Sequence, residues 1–306
     1  MNSDNRSLPV WRSLMYVPVN VPRFVDKAHT RGADVVQLDL EDSVPPSEKA
    51  HARTLVEQVA PRVRQAGADV VVRINRPIEL AVRDIEASVL PSVDGLAITK
   101  VDSASHIRLL DELISELESS RGMPHGHIRL IAMVETPQAF MRMEEIGRAS
   151  PRLVAMNIGG EDFATACNMA PTAETLLFPK QQMIIAASAA GLMPLGFAAS
   201  VADYSDTDAF RAMVRRSAQF GFMGAGCIHP SQVPIVNEEY RPSATEVEWA
   251  KKCIDGYEIA KREGRASFAI DDVMIDIPVV VRAEKLLARE SAIRAREERA
   301  REVLGS

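Results

Sequence analysis

The sequence predicts an α/β protein folded as a (β/α)8 TIM barrel with a C-terminal helical extension. Short apolar runs alternate strictly with amphipathic segments, and this alternation is typical of a parallel sheet covered by helices. Eight such strand–helix units fall between about residues 13 and 256, which favours closure of the sheet into a barrel. A doubly wound open sheet is the alternative fold. It is disfavoured because no Gly-x-Gly-x-x-Gly follows the first predicted strand.

The predicted strands are continuous apolar runs, the pattern of parallel strands that are buried on both faces. Prolines punctuate several of them, because proline cannot donate to a neighbouring strand. Pro18 stops the first strand, the pair Pro45 and Pro46 closes the second, and Pro137 follows the fifth. The eight predicted strands are 13–17, 33–40, 69–75, 95–101, 129–135, 153–158, 194–198 and 223–228.

The predicted helices lie between these strands and carry apolar residues at helical spacing. The first begins at Pro22, since proline is well suited to a first helical turn. The others are 47–63, 103–119, 137–149, 180–190, 206–220 and 249–262, the last of which is interpreted as the final barrel helix.

The chain is predicted to divide into a catalytic barrel domain, 1–262, and a C-terminal connector and helix, 263–306. Residues 268–277 form an apolar and acidic connector, and a helix rich in Arg, Glu and Ala follows from Val279. A long polar helix outside a complete barrel needs a surface to pack on. A neighbouring subunit is the expected surface, so the sequence indicates a homo-oligomer.

Composition excludes several classes of partner. The chain has 306 residues, a formal net charge of −6 and no long basic run, which argues against nucleic-acid binding. Its three cysteines lie far apart, which suits a reducing compartment and argues against thiol or zinc chemistry. The polar residues 1–10 lack the apolar core of a secretory signal. We therefore expect a cytoplasmic protein.

One uncharged stretch, residues 183–201, is long enough to suggest a membrane span. It contains Gly191, Pro194 and Gly196, which divide it into the end of a helix and a short strand. No membrane partner is therefore expected.

Four of the predicted strands end in charged residues. The carboxyl ends of all strands in a barrel lie on one face, where the loops build the active site. These residues are Glu41 with Asp42, Arg73, Glu135, and Glu161 with Asp162.

The acidic strand ends predict a site for a hard divalent cation. Carboxylates from adjacent strands, with no histidine or cysteine nearby in sequence, favour Mg2+. The pair Gly159-Gly160 would let backbone amides approach an anionic ligand. Arg73 could stabilise an enolate or a second carboxylate. This combination fits the making or breaking of a carbon–carbon bond beside a carbonyl, with the metal as a Lewis acid.

The histidines are less informative. His229 follows the eighth predicted strand, and a structural role in fixing that loop is favoured. His125 and His127 have a metal-type spacing, but a single pair is a weak signal.

Seven motifs follow one another between about residues 12 and 288. They are Arg12-Ser-Leu-Met-Tyr-Val-Pro, Leu38-Asp-Leu-Glu-Asp-Ser-Val-Pro-Pro with Glu48-Lys49 and Arg53, Val72-Arg-Ile-Asn, Val134-Glu-Thr-Pro-Gln-Ala, Gly160-Glu-Asp-Phe-Ala, Cys227-Ile-His-Pro-Ser-Gln-Val and Met274-Ile-Asp. In kind and order they resemble the citrate lyase beta-subunit-like group of the HpcH/HpaI aldolase superfamily.

The resemblance implies a (β/α)8 barrel that binds Mg2+, or Mn2+, through Glu135 and Asp162. It also implies cleavage or formation of the bond between a 2-oxo acid and the acyl carbon of a thioester. Arg73 would then contact the thioester carbonyl and stabilise its enolate. The substrates expected from this resemblance are a coenzyme A (CoA) thioester and a 2-oxo acid.

Further roles are implied by the same resemblance. Asp276, arriving from a neighbouring subunit, would act as the acid–base group. Asp42 would support the metal through its water shell. The amides around Gly160, Glu161 and Asp162 would hold the carboxylate of the oxo acid. The implied assembly is a homotrimer or hexamer.

The sequence departs from the family pattern at three places. Val19 stands where the family usually has Gly, and Thr99 stands where it usually has Pro. Asp271-Asp272-Val273 replaces the common Asp-Gly-Lys/Arg before Met-Ile-Asp. This last change adds negative charge near the expected entrance for the thioester carrier, and it leaves the identity of that carrier open.

The leading functional hypothesis is a Mg2+-dependent lyase that acts on a 3-hydroxyacyl-CoA such as malyl-, citramalyl- or citryl-CoA. A malyl-CoA-type thioesterase built on the same site is one alternative. A beta subunit of a citrate lyase complex, acting on an acyl-carrier-protein thioester, is another. The sequence does not choose the acyl chain.

Overall fold

The computed structural model describes residues 8–199, 206–271 and 273–305. The chain forms two compact units, the first ending at Tyr240 and the second beginning at Arg241.

The first unit contains eight strands, and every neighbouring pair is parallel. Their order around the sheet is β7-β6-β5-β4-β3-β2-β1-β8. Each observed strand overlaps the strand predicted at that place. The bounds are β1 (Ser13–Pro18), β2 (Val35–Asp39), β3 (Asp69–Ile74), β4 (Gly95–Ile98), β5 (Arg129–Val134), β6 (Leu153–Ile158), β7 (Met193–Leu195) and β8 (Ala225–Cys227).

The two edges of the sheet meet. The structure therefore confirms the predicted barrel rather than the alternative, an open sheet. β8 pairs with β1, and an isolated parallel bridge joins Leu195 at the end of β7 to Gly224 just before β8. The Gly196 amide donates to the Gly224 carbonyl at 2.8 Å. A Cβ at Gly224 would lie 2.0 Å from the carbonyl oxygen of Trp11, so glycine permits this close approach.

Helices of the first unit surround the strands. Side-chain caps fix where some of them begin: Ser103 accepts from the His106 amide, and Asp206 accepts from the Ala209 amide. The helices are α1 (Pro22–Ala28), α2 (Lys49–Val63), α3 (Ile78–Ser88), α4 (Ala104–Ser120), α5 (Pro137–Phe140), α6 (Met143–Gly147), α7 (Gly160–Ala166), α8 (Ala173–Ala189), α9 (Thr207–Phe220) and α10 (Gln232–Glu239).

The helix prediction differs from the structure in two ways. The predicted helix 137–149 is divided into α5 and α6, because the backbone leaves the helical conformation at Arg142, whose φ is −121°. In addition, the helices α3, α7 and α10 are present in the structure but were not predicted from the sequence.

Side chains alternate along the strands between the barrel interior and the layer under the helices. Val35, Val71 and Ile131 belong to the inner apolar cluster, whereas Val36 and Val72 belong to the outer one. Every second position along a strand therefore faces inward. By this alternation Asp39, Arg73 and Glu135 share the inward face of β2, β3 and β5.

The second unit consists of two helices and a small hairpin: α11 (Ala244–Arg262), β9 (Phe268–Ile270), β10 (Val273–Ile275) and α12 (Ile277–Gly305). The hairpin is antiparallel, with Ile270 opposite Val273. It occupies the predicted connector, where no strand was expected. Its own apolar cluster includes Cys253, Ile275 and Ala283.

Helix α11 contains the segment 249–262 that the sequence analysis assigned to the barrel. In the structure this helix belongs to the second unit, and α10 is the helix that follows β8 in the first. The sequence-based division into 1–262 and 263–306 stays a prediction. Asp272, in the departing C-terminal motif, lies outside the described residues.

Within the described ranges, no helix is long and apolar enough to cross a membrane. The uncharged stretch 183–201 instead supplies the end of α8 and the strand β7, and its last two residues lie outside the described ranges.

Candidate active site

A cavity of about 910 Å3 lies at the carboxyl ends of the barrel strands. Its walls combine apolar side chains, among them Leu176 and Phe197, with several charged ones. Barrel enzymes carry their active sites at this end, and a large pocket with a few converging polar groups is typical of a ligand site. The predicted site residues that line it are Asp42, Arg73, Glu135, Gly160, Glu161 and Asp162.

Arg73 is held in place by Asp39, its partner across the β2–β3 pair. Its Nε donates to Asp39 Oδ1 at 2.8 Å, and its Nη2 donates to Asp39 Oδ2 at 2.6 Å. This two-pronged ion pair fixes both the position and the plane of the guanidinium. Burial opposes the charge of Asp39, but the hydrogen bonds and charge of Arg73 outweigh it and lower the pKa of Asp39.

The third nitrogen of the Arg73 guanidinium, Nη1, faces two further carboxylates. Its Nη1 lies 3.0 Å from Glu41 Oε2 and 3.2 Å from Asp42 Oδ2. The Asp42 side chain is 60% exposed, so a ligand could displace it at little cost. The guanidinium also lies 4.9 Å from the centre of the Tyr16 ring, a cation–π contact that further restricts it.

Glu135 follows β5 and is almost fully buried, with 3% exposure. Its Oε2 accepts a hydrogen bond from the backbone amide of Lys100 at 2.6 Å. Burial raises the pKa of Glu135 to about 7; the Lys100 amide and charge oppose this rise, and Asp162 and Glu41 add to it. Ionised Glu135 therefore depends on nearby positive charge.

Gly159 makes room for the Glu135 carboxylate. A Cβ at this position would lie 2.5 Å from Glu135 Oε1, so any side chain here would displace the Glu135 carboxylate. The glycine thus lets the end of β6 approach the end of β5 closely. It is followed at once by α7, which carries Glu161 and Asp162 in its first turn.

Lys100 lies among the acidic side chains. It was not predicted from the sequence as a site residue. Its Nζ donates to Glu41 Oε1 at 3.1 Å and lies 3.6 Å from Asp162 Oδ1. Burial alone would lower the pKa of Lys100. The hydrogen bond and charge of Glu41 outweigh burial and raise this pKa, so the ammonium stays protonated. Its backbone adopts the left-handed conformation, with a φ of 46°.

Glu135 and Asp162 are the predicted ligands of a magnesium ion, and both line the cavity. Among the described residues, no group of three His, Cys, Asp or Glu is arranged to hold a metal. Mg2+, however, commonly uses one or two carboxylates and completes its octahedron with water and substrate oxygens. Burial, and to a smaller extent the charges of Asp162 and Glu41, raise the pKa of Glu135, and a bound divalent cation would offset both effects.

Asp276, the remaining predicted site residue, belongs to the second unit. Its Oδ1 accepts from the Val279 amide at 3.4 Å, and its carbonyl accepts from the Val280 amide, at the start of α12. Its predicted acid–base role stays a prediction.

The histidines have local partners. His229 lines the cavity, with Nδ1 2.7 Å from Ser231 Oγ, which suits the loop-fixing role favoured from the sequence. His125 Nε2 lies 3.3 Å from Ser115 Oγ, and His127 Nε2 lies 2.9 Å from the Val93 carbonyl.

The mouth of the cavity is basic. Arg23, Lys27 and Arg31 line it from α1 and the turn that follows, and all three are exposed. Phe24 beside them is 46% exposed, and the Arg23 guanidinium lies 4.7 Å from the centre of its ring. Such a surface suits an elongated anionic ligand with an aromatic part.

Comparison with known proteins gives consistent matches. The family model described as HpcH/HpaI aldolase/citrate lyase matches residues 12–230. The chain is 32% identical to the citrate lyase subunit beta of Leuconostoc mesenteroides subsp. cremoris over 92% of this chain and 93% of that protein. It is 29% identical to the L-malyl-CoA/beta-methylmalyl-CoA lyase of Rhodobacter capsulatus over 90% of this chain and 93% of that one.

A solved structure is similar over nearly the same length. It is the crystal structure of the protein CitE from Mycobacterium tuberculosis in complex with magnesium, acetoacetate and coenzyme A. The TM-score is 0.72 at 29% sequence identity, and the match covers 93% of this chain and 99% of that chain.

Proposed function

Because the chain belongs to the HpcH/HpaI aldolase/citrate lyase family, we propose that it is a Mg2+-dependent carbon–carbon lyase. It cleaves, or in reverse forms, a 3-hydroxyacyl-CoA such as malyl-, citramalyl- or citryl-CoA, giving a 2-oxo acid and an acyl-CoA. The observation that carries this proposal is one cavity lined by Arg73 together with the acidic strand ends Glu135 and Asp162. The names of the relatives and the ligands of the CitE structure support the same chemistry.

Glu135 and Asp162 would hold the ion, Mg2+ or Mn2+, and Asp42 would support it through its water shell. When bound, the ion supplies a Lewis acid for the oxygens of the 2-oxo acid. The backbone amides around Gly160, Glu161 and Asp162 would hold the oxo-acid carboxylate.

In the cleavage direction, a base removes the proton of the 3-hydroxyl group and the bond between C2 and C3 breaks. The electron pair of that bond passes to the thioester half and forms an enolate. Protonation of the enolate at C2 then releases the acyl-CoA. Arg73 would donate a hydrogen bond to the enolate oxygen. Its Nη1 is the suitable donor, because Nε and Nη2 are held by Asp39. A preorganised donor of this kind stabilises charge that develops in the transition state.

Asp276 would act as the acid–base group, reaching the site of a neighbouring subunit in a trimer or hexamer. Support comes from the family resemblance and from its position in the second unit, after the barrel. Mixed oligomers test this role. Asp276→Ala and Glu135→Ala proteins should each be nearly inactive, and subunit exchange between them should restore part of the activity. No recovery after exchange is confirmed by mass would contradict the shared site.

Coenzyme A is the proposed carrier of the acyl group. Arg23, Lys27 and Arg31 at the cavity mouth could meet its phosphates, and exposed Phe24 offers a surface for its adenine ring. Because relatives include citrate lyase beta subunits, an acyl-carrier-protein thioester is the alternative. The cytoplasmic location expected from the sequence stays a prediction.

The proposal is tested by incubating the purified chain and Mg2+ with malyl-, citramalyl- and citryl-CoA, with mass detection of all products. A 2-oxo acid together with acyl-CoA is the expected result. Free hydroxy acid together with CoA would instead identify a thioesterase. Turnover of acyl-carrier-protein thioesters alone would identify a subunit of a citrate lyase complex.

A further inference from the structure

A buried lysine lines the cavity beside the proposed metal site. Lys180, on α8, is 7% exposed and is one of the cavity-lining residues. Leu176, one helical turn earlier, lines the same wall and would lie 3.1 Å from a Cβ at Gly160. Lys180 is therefore on the face of α8 that packs against the segment carrying Asp162.

The ammonium of Lys180 is poorly satisfied among the described residues. It donates one hydrogen bond, to the Ala199 carbonyl at 3.2 Å, whereas an ammonium has three protons to donate. Leu176, one helical turn earlier on the same wall, offers no acceptor. Burial lowers the pKa of Lys180 to about 8, and the charge of Glu161 only partly offsets this effect. A buried charge is costly unless an anion pairs with it.

The position of Lys180 limits the anion that could pair with it. A nucleotide phosphate would meet the exposed basic residues at the cavity mouth, whereas Lys180, buried in the cavity wall, would be reached by a small group inside the cavity. In the ring of strands, α8 follows β6, next to the Gly160–Asp162 segment, whereas Arg73 lies on β3. Lys180 is thus on the side assigned to the oxo acid rather than to the enolate.

We propose that Lys180 is a specificity residue that binds a second carboxylate on the 2-oxo acid half of the substrate. This inference rests on the proposed function and sharpens it: the oxo acid is a dicarboxylate, so citryl-CoA is preferred to citramalyl-CoA. These two thioesters release the same acetyl-CoA and differ in whether the oxo acid carries that extra carboxylate.

The test measures kcat/KM for citryl-CoA and citramalyl-CoA with wild type, Lys180→Met and Lys180→Arg. Wild type should prefer citryl-CoA. Lys180→Met should lower kcat/KM for citryl-CoA by roughly 10- to 100-fold, the effect of losing a hydrogen bond to a charged group, and change citramalyl-CoA by less than about threefold. Lys180→Arg should retain much of the preference. Lys252→Met is the matched control, because it removes an exposed charge that pairs with Glu248 in the second unit.

Equal losses for both thioesters in Lys180→Met, or a wild type that prefers citramalyl-CoA, would overturn the inference. Calorimetric binding of oxaloacetate and of pyruvate in the presence of Mg2+ provides a readout that needs no turnover. Wild type should bind oxaloacetate more tightly, and Lys180→Met should lose that difference. If none of malyl-, citramalyl- and citryl-CoA is cleaved, the proposed lyase function fails. The binding measurement still decides the role of Lys180, because an unchanged oxaloacetate preference in Lys180→Met rejects it.

Discussion

Two arginine–carboxylate clusters lie at opposite ends of the barrel and differ in their access to a cavity. At the amino ends of the strands, Arg152 donates to both oxygens of Glu118, to Asp111, to Ser115 Oγ and to the Ile128 carbonyl. Glu118 also accepts the Gly126 and Ile128 amides. All three guanidinium nitrogens of Arg152 therefore donate hydrogen bonds, and both Arg152 and Glu118 are buried.

At the carboxyl ends, a second cluster borders the cavity through Asp39, Arg73 and Glu135, and it also contains Glu41 and Lys100. Asp39 holds Nε and Nη2 of Arg73, and Nη1 lies 3.0 Å from Glu41 and 3.2 Å from exposed Asp42. The pKa of Glu118 is lowered although burial opposes this, and so is that of Asp39, whereas burial raises the pKa of Glu135. Residue types alone therefore do not distinguish a structural ion cluster from a reactive one. An exposed, displaceable partner such as Asp42 and access to a cavity do.

The largest expected difference between the clusters is in catalysis. Glu135→Gln should abolish turnover, since a neutral amide replaces one of two proposed metal ligands. EDTA should abolish wild-type turnover, and Mg2+ or Mn2+ should restore it. Steady-state assays with added metal measure both effects. Full activity of Glu135→Gln without added metal would remove Glu135 from the metal site.

Breaking the opposite cluster should instead reduce stability. Arg152→Ala leaves Glu118 buried without its cation, which typically costs about 3–5 kcal/mol. Denaturant unfolding measures this loss, and activity per folded molecule should remain near that of wild type. A stable variant with impaired catalysis would show that the amino-end cluster is not purely structural.

Arg73→Lys should lower kcat by on the order of 100-fold, the usual cost of losing one preorganised donor to an oxyanion. An ammonium cannot keep the two-pronged contact with Asp39 and also donate to the enolate. KM should change less than kcat. An unchanged kcat would mean that Arg73 does not stabilise the transition state. Arg152→Lys is the matched control at the other end of the barrel.

The two buried glutamates should give opposite dependences of stability on pH. The folded-state pKa of Glu135 is raised to about 7 from 4.5, so its contribution is fully present at low pH and is lost as pH rises toward 7. In EDTA, Glu135→Gln should therefore equal wild type near pH 4 and exceed it near pH 8, by on the order of 3 kcal/mol at most.

Glu118 should behave in the reverse sense, because its pKa is lowered. Its contribution is present above its unfolded-state pKa and is lost as pH falls through the folded-state pKa. Glu118→Gln should be less stable than wild type at pH 7, and the difference should shrink in acid. Thermal unfolding across pH 4–8 measures both variants. The same pH trend in both would contradict the contrast between the clusters.

The sequence predicts the barrel and much of the cavity for a physical reason. Buried parallel strands must be apolar, so charges at their carboxyl ends, such as Glu135 and Arg73, are conspicuous. Asp39 was missed because it lies inside an apolar run. Its inward position in the two-residue alternation was the available signal. Lys100 was also missed, since a lysine after a strand usually signals only solvent exposure.

Other features depend on packing that no local pattern encodes. The contribution of Lys180 to the cavity requires α8 to lie against Gly160, a contact between distant segments. The sequence predicts only a connector where β9 and β10 form a hairpin, because each of these strands has only three residues.

Carbon–carbon bond formation is the measurement that separates a lyase from a thioesterase on this site. Wild type, Arg73→Lys and Arg152→Lys are incubated with acetyl-CoA, Mg2+ and glyoxylate, pyruvate or oxaloacetate, and thioester masses are recorded. Wild type and Arg152→Lys should form a 3-hydroxyacyl-CoA whose mass is the sum of acetyl-CoA and the oxo acid. Arg73→Lys should form it at least about 100-fold more slowly. Release of free CoA without any such adduct in wild type would contradict the lyase assignment.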